Sequence, residues 1–185
     1  MMDCYLDIQV EPDSEISTPA LMNNLFSKFH RAMAQTCNGL IAVSFPKHGR
    51  ILGDVLRLHG TQQHLNQLMA QSWLKGLRDY TIVGDILPVP SEVKGYRTVS
   101  RVQKKSPQNL RKRSIAKGWL TEEEARHSIP DSKQPQLALP YLQLQSQSNK
   151  NVMRIYVRHG DITQQAIDGE YSSYGLSRQA TIPWF

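Results

Sequence analysis

The 185 residues carry 22 Lys+Arg against 16 Asp+Glu, a net charge of +6, with 39% hydrophobic and 21% charged residues. That balance is too apolar for a disordered chain, too short for more than one ordinary domain or two small ones, and biased toward an anionic partner such as nucleic acid or a charged membrane surface. No apolar run reaches the roughly 20 residues of a bilayer span, and the start MMDCYLDIQV has no signal-peptide pattern. The two cysteines, Cys4 and Cys37, make no C-x-x-C pair. A cytoplasmic protein with neither a zinc knuckle nor a disulfide framework is therefore expected.

Cys4 to Val10 alternates apolar and polar and predicts a half-buried strand, broken by Pro12 and Asp13. Thr18 followed by Pro19 predicts a helix start with Thr18 as N-cap, and the helix runs to about Gln35. Leu21, Met22, Leu25, Phe26, Phe29 and Met33 are its apolar stripe, and His30 falls on the flank of that stripe. Leu40 to Phe45 and Val55 to His59 predict two strands, Thr61 to Ala70 a helix extended loosely through Trp73 to Leu77, and Tyr80 to Val83 a short strand. The order β-α-β-β-α-β is the ferredoxin-like arrangement of RNA-recognition modules, a fold that by itself carries no activity.

Pro88, Pro90, Ser91 and Gly95 mark a linker, so residues 1–92 are expected to form the ferredoxin-like domain and 93–185 a smaller domain. In the second, Thr98 to Lys104 is extended and Ser106-Pro107 opens a helix that Gly118 ends. Thr121 with Glu124 is a capping box for a further helix that Pro130 stops. Tyr141 to Ser146 and Val152 to Arg158 predict a hairpin, and Glu170 to Leu176 and Thr181 to Phe185 two more short strands. The fold class expected is α+β, with a basic helix and a small antiparallel sheet following the first domain.

Charge is concentrated in Lys94 to Lys117, which holds nine basic residues and no Asp or Glu. With no acids interspersed, the helix bearing Arg111, Lys112, Arg113 and Lys117 suits a row of phosphates better than bulk solvent. Arg101 and Gln103 lie two apart on an extended segment and point the same way. Arg reads guanine and Gln reads adenine bidentately, so this pair is a candidate reader of adjacent purines, with Lys104 beside it as a further contact.

None of the six histidines, His30, His48, His59, His64, His127 and His159, stands at metal-ligand spacing from another, and no carboxylate cluster stands out. Nucleic-acid cleavage by this chain is therefore expected to use the substrate's own 2′-hydroxyl, which restricts it to RNA. A histidine would take the proton, and a hydroxyl donor such as Ser146 or Ser148 would hold the reacting groups.

Ten segments together resemble the repeat-processing endoribonucleases of subtype I-F CRISPR systems. They are YLDI, LFSKFHRAM around His30, VSFP, WLKGLRD, YRTVSRVQKKS, LTEEEARHSIPD, LQSQS with Ser146 and Ser148, RIYVRHG, SSYGLS around Tyr174, and the terminal PWF. The resemblance runs nearly end to end. It implies that His30 deprotonates the 2′-hydroxyl, that Ser146 fixes that hydroxyl with Ser148 beside it, and that Tyr174 positions His30. It implies that Arg101 and Gln103 read purines at the base of an RNA stem and that the Arg111 to Lys117 helix enters the major groove of a repeat hairpin. Met153 stands where the family is expected to place an aromatic under the last base pair; its adaptable thioether can cover that face without a ring. The implied partners are CRISPR repeat RNA, mature crRNA and the other subunits of a type I-F surveillance complex. The implied reaction is cleavage at the 3′ base of the stem, without metal or cofactor, leaving a 5′-hydroxyl and a 2′,3′-cyclic or 3′ phosphate, with retention of the product. A non-catalytic hairpin-binding subunit, and a DNA-binding regulator using the helix pair around Gly118, are the competing readings.

Overall fold

In the computed structural model, which describes residues 2–103, 107–131, 137–145 and 152–185, the alternating N-terminal run forms strand β1, Cys4–Val10. Leu6, Ile8 and Val10 are buried on one face, as a period of two dictates. Helix α1, Thr18–Thr36, buries Leu21, Met22, Leu25, Phe26, Phe29, Ala32 and Met33. Phe26 and Phe29 pack on each other with centroids 5.6 Å apart, and burial of each ring contributes about 1.5–3 kcal/mol. Strands β2 (Ala42–Ser44) and β3 (Val55–Gly60), helix α2 (Gln62–Met69) and strand β4 (Thr81–Val83) complete the first set of elements. The sheet order is β2-β3-β1-β4, with every neighbouring pair antiparallel. The short β5, Leu87–Pro88, pairs with the start of β1.

Strand β6 (Gly95–Arg97) and strand β7 (Val99–Val102) follow. Helices α3 (Pro107–Ala116) and α4 (Glu122–Ser128) come next, then β8 (Tyr141–Gln145), β9 (Val152–His159) and β10 (Ile182–Trp184). The last strand folds back on β6, and β7, β9 and β8 make a three-stranded sheet in that order. The molecule is thus a mixed α+β protein with small antiparallel sheets. It divides into two compact units, Met1–Arg101 with Leu139–Phe185, and Val102–Ala138. The larger unit holds the first 92 residues together with much of the segment expected to form a second domain.

Three local expectations differ from the structure. Ser17, not Thr18, is the N-cap of α1, and it makes no side-chain cap bond. The stretch Trp73 to Leu77 is a series of turns rather than an extension of α2, because Gly76 adopts φ +81°. Glu170 to Leu176 is also not a strand; its backbone closes on itself, with consequences described below. The capping box is present as expected. Thr121 Oγ1 accepts from the Glu124 amide at 3.3 Å, and Glu124 Oε2 accepts from the Thr121 amide at 2.8 Å.

Candidate active site

Helix α1 carries His30 at the edge of its buried stripe, half-buried, one residue after the core side chain Phe29. Two contacts fix the imidazole. Its ring lies against the ring of Tyr174, with centroids 4.2 Å apart and planes 8° from parallel. Its Nδ1 is 2.7 Å from the main-chain oxygen of Ser173. A carbonyl oxygen only accepts, so Nδ1 carries the hydrogen, and in the neutral imidazole the basic lone pair lies on Nε2. This is the tautomer that a general base acting through Nε2 needs.

Both contacts come from the segment expected to be a strand. The Ser172 amide donates to the Leu176 carbonyl at 2.9 Å, and the Gly175 amide donates to the Ser172 carbonyl at 2.8 Å. The Ser172 hydroxyl oxygen accepts from the amides of Tyr174 and Leu176 at 3.3 and 3.4 Å. This closes a tight loop of the kind Ser favours over an extended ladder. The loop is anchored at both sides. The Val43 amide of β2 donates to the Gly175 carbonyl at 3.0 Å, and the Ser177 amide donates to the Val99 carbonyl of β7 at 2.9 Å. Gly175 has φ +69°, and a Cβ there would lie 3.0 Å from both the Ile41 oxygen and Val43 Cγ1. Only glycine combines that backbone angle with so close an approach to β2.

Arg101, on β7, places its guanidinium carbon 5.4 Å from the centroid of the same Tyr174 ring. The structure therefore brings His30, Tyr174 and Arg101 together around one aromatic ring. The Ser173 carbonyl is the member that side-chain reasoning missed; a main-chain acceptor leaves no residue-type signal. Ser146, Ser148 and Lys104 lie outside the described residues. Gln103 is exposed on the segment after β7. Met153 shares one face of β9 with Ile155 and Val157 and packs at the edge of the core. The opposite face carries Tyr156, 5.4 Å from Tyr141, with Arg154 over the Tyr141 ring at 4.8 Å.

Three other histidines are absorbed by packing. His59 is fully buried with Nε2 2.8 Å from the Ser44 hydroxyl; burial, aided by the Arg57 charge, pushes its pKa down to about 3. His48 and His159 stack at 3.7 Å, and each packs edge-on against Trp184. The Phe45 amide donates to His159 Nε2 at 3.3 Å, and His48 Nδ1 donates to the Phe45 carbonyl at 2.9 Å. Burial lowers the pKa of both, that of His159 to about 3, with His48 and Arg97 adding to the effect on His159. Groups with a pKa near 3, as His59 and His159 have, are poorly matched to proton transfer near neutrality.

In the smaller unit, α3 and α4 pack as a pair. Arg111 joins them: its guanidinium donates to the Ile129 carbonyl at 2.6 Å and to Asp131 Oδ1 at 2.7 Å, and its side chain is only 16% exposed. Lys112, Arg113 and Lys117 are exposed. The basic helix and the turn that ends it therefore carry two kinds of cation, Arg111 used in packing and Lys112, Arg113 and Lys117 exposed.

The chain matches the model of the family described as "CRISPR-associated protein (Cas_Csy4)" over residues 5–185. It is 48% identical over 185 residues to a protein of Escherichia coli (strain UTI89 / UPEC) named CRISPR-associated endonuclease Cas6/Csy4, covering 100% of both chains. It is 43% identical over 188 residues to a protein of that name from Pseudomonas aeruginosa (strain UCBPP-PA14), again covering 100% of both. A solved structure described as CRISPR endoribonuclease Cse3 bound to 19 nt RNA covers 98% of this chain and 100% of its own at 14% identity, with a TM-score of 0.38, too loose to add to the assignment. The chain belongs to the CRISPR-associated Cas_Csy4 family.

Proposed function

We propose that this chain is an endoribonuclease that processes CRISPR repeat RNA, cutting at the 3′ base of a repeat hairpin and remaining on the crRNA within a type I-F surveillance complex. The observation that carries the chemistry is the pair of contacts on His30: the Ser173 carbonyl on Nδ1 and the Tyr174 ring on its face. They leave Nε2 as the basic nitrogen, in a fixed plane. In the proposed step Nε2 takes the proton of the substrate's 2′-hydroxyl. The 2′-oxygen then forms a bond to the adjacent phosphorus, and the bond from phosphorus to the 5′-oxygen breaks. The products are a 2′,3′-cyclic phosphate and a 5′-oxygen that takes a proton from solvent. The nucleophile belongs to the substrate, so the route requires neither metal nor cofactor. Ser146 and Ser148 would hold the 2′-hydroxyl or the phosphate in line.

Recognition is assigned to the basic residues. Arg101 beside Tyr174 suits readout of a purine near the cut, with Gln103 reading a neighbour and Lys104 as a backbone contact. Lys112 and Arg113, exposed on α3, and Lys117, exposed in the turn that ends it, suit the phosphates of the stem, with Arg111 holding the helix that presents them. Met153 would cover the end of the stem. The test is a repeat hairpin with a single 2′-deoxy nucleotide at the cleavage position, incubated with and without EDTA. Binding with complete loss of cleavage of the deoxy RNA, and EDTA-insensitive cleavage of the unmodified RNA, are expected. Cleavage of the deoxy hairpin would rule out 2′-hydroxyl attack, and loss of cleavage in EDTA would rule out the metal-free route.

A further inference from the structure

Helix α3 ends in a six-residue turn whose bonding is complete. The Gly118 amide donates to the Ile115 carbonyl and the Trp119 amide donates to the Ser114 carbonyl, both at 2.9 Å, and Gly118 has φ +67°. This is a Schellman stop with Gly118 in the left-handed position and Trp119 immediately after it. In such stops the residue after the glycine usually makes an apolar contact with the helix three or four places before the cap. Here those places hold Ser114 and Arg113, and neither offers an apolar partner. Trp119 is accordingly 64% exposed, the most exposed large hydrophobic side chain among the described residues. Its ring has one cation over it, Lys117 Nζ at 4.5 Å from the centroid. The backbone turn is satisfied without the indole, and a smaller residue would end the helix as well.

We propose that Trp119 is a stacking platform for an unpaired base of the bound RNA, with Lys117 placed to meet the adjoining phosphate. This rests on the RNA-processing reading above and extends it to a contact outside the stem. The chemistry fits in three respects. An exposed aromatic with a cation beside it is the pairing that holds single-stranded nucleic acid, the ring taking a base face and the cation the backbone. The platform closes the same helix that carries exposed Lys112 and Arg113, so a phosphate row on α3 leads toward it. A base inside a duplex has both faces covered, so the ring selects nucleotides of a loop or a flank.

The experiment measures the affinity of wild type, Trp119→Ala and Trp119→Phe for a repeat hairpin with its loop and flanks, and for the same stem as a blunt duplex, across a salt series. Trp119→Ala is expected to weaken hairpin binding by about 5- to 100-fold, with an unchanged salt slope and unchanged affinity for the blunt duplex. Trp119→Phe is expected to recover most of the loss. Binding of the hairpin should quench a fluorescence component present in wild type and missing in Trp119→Phe, since Trp73 is buried and Trp184 is half-buried. Equal hairpin affinities for wild type and Trp119→Ala would overturn the stacking assignment alone. A loss of equal size on the blunt duplex would also overturn it, showing that the substitution disturbs the helix. A wild type that binds no hairpin would instead bring down the RNA-processing reading, and this inference with it.

Discussion

The imidazole of His30 and the ring of Tyr174 lie face to face, 4.2 Å apart and 8° from parallel, while the Ser173 carbonyl 2.7 Å from Nδ1 sets which nitrogen is basic. One loop thus controls both the plane and the tautomer of the proposed base. Removing the ring should release the plane and leave the carbonyl bond. Tyr174→Ala is expected to slow single-turnover cleavage about 10- to 100-fold, the cost of misplacing a reacting group by about an ångström. Tyr174→Phe keeps the stacking face and is expected to stay within about threefold of wild type. Rapid-quench cleavage of saturated RNA measures both.

Gly175 offers a test of the loop that leaves every catalytic side chain in place. At φ +69°, with the Ile41 oxygen and Val43 Cγ1 3.0 Å from where a Cβ would stand, Gly175→Ala combines backbone strain with crowding against both neighbours. It is expected to destabilise the protein by about 1–3 kcal/mol and to lower the cleavage rate more than RNA affinity. Chemical denaturation and single-turnover kinetics on one preparation separate the two effects.

The two kinds of cation on α3 make opposite predictions. Arg113 is exposed, and Arg113→Ala should lower the slope of log binding constant against log salt by about one unit. Arg111 is committed to the Ile129 carbonyl and Asp131. Arg111→Ala should leave that slope nearly unchanged and cost on the order of 1–3 kcal/mol in the stability of the helix pair, the loss of charge-assisted hydrogen bonds. The salt series is run on both variants beside the wild type.

Stability should fall in mild acid through the buried histidines. His59 and His159 have pKa values lowered to about 3, against an ordinary value near 6.5. Below pH 6.5 the unfolded chain binds protons that the folded chain refuses, so each histidine contributes stability that is fully present above pH 6.5 and is lost as pH falls toward 3. Each costs up to about 1.4 kcal/mol per pH unit across that window. A melting temperature at pH 5.5 well below that at pH 7.5, with the difference reduced in His59→Asn if the variant folds, is the expected outcome.

Much of this was legible in the residues, and the limits have physical reasons. The period of two in Cys4 to Val10 and the three-and-four spacing of Leu21 to Met33 are dictated by burial, and both elements form over almost the spans that spacing predicts. The same spacing puts His30 at the flank of its stripe, where it is half-buried. Family resemblance, not periodicity, linked it to Tyr174. From its sequence, Glu170 to Leu176 reads as a short strand. The serine hydroxyl and the left-handed glycine instead turn the chain back to β2. In the sequence Arg111 is indistinguishable from its basic neighbours, because charge alone does not say which cations meet a carbonyl. Only the packing of α3 on α4 separates it from Arg113.

The most direct test of the central claim, that His30 is the base, is the pair of His30→Ala measurements: equilibrium binding of the repeat hairpin, and single-turnover cleavage of that bound RNA in EDTA. Binding within about twofold of wild type, with cleavage reduced by about 10²- to 10⁴-fold, is the predicted result. Cleavage at the wild-type rate would remove His30 from the chemistry, and a joint loss of binding and cleavage would make it a structural residue of α1.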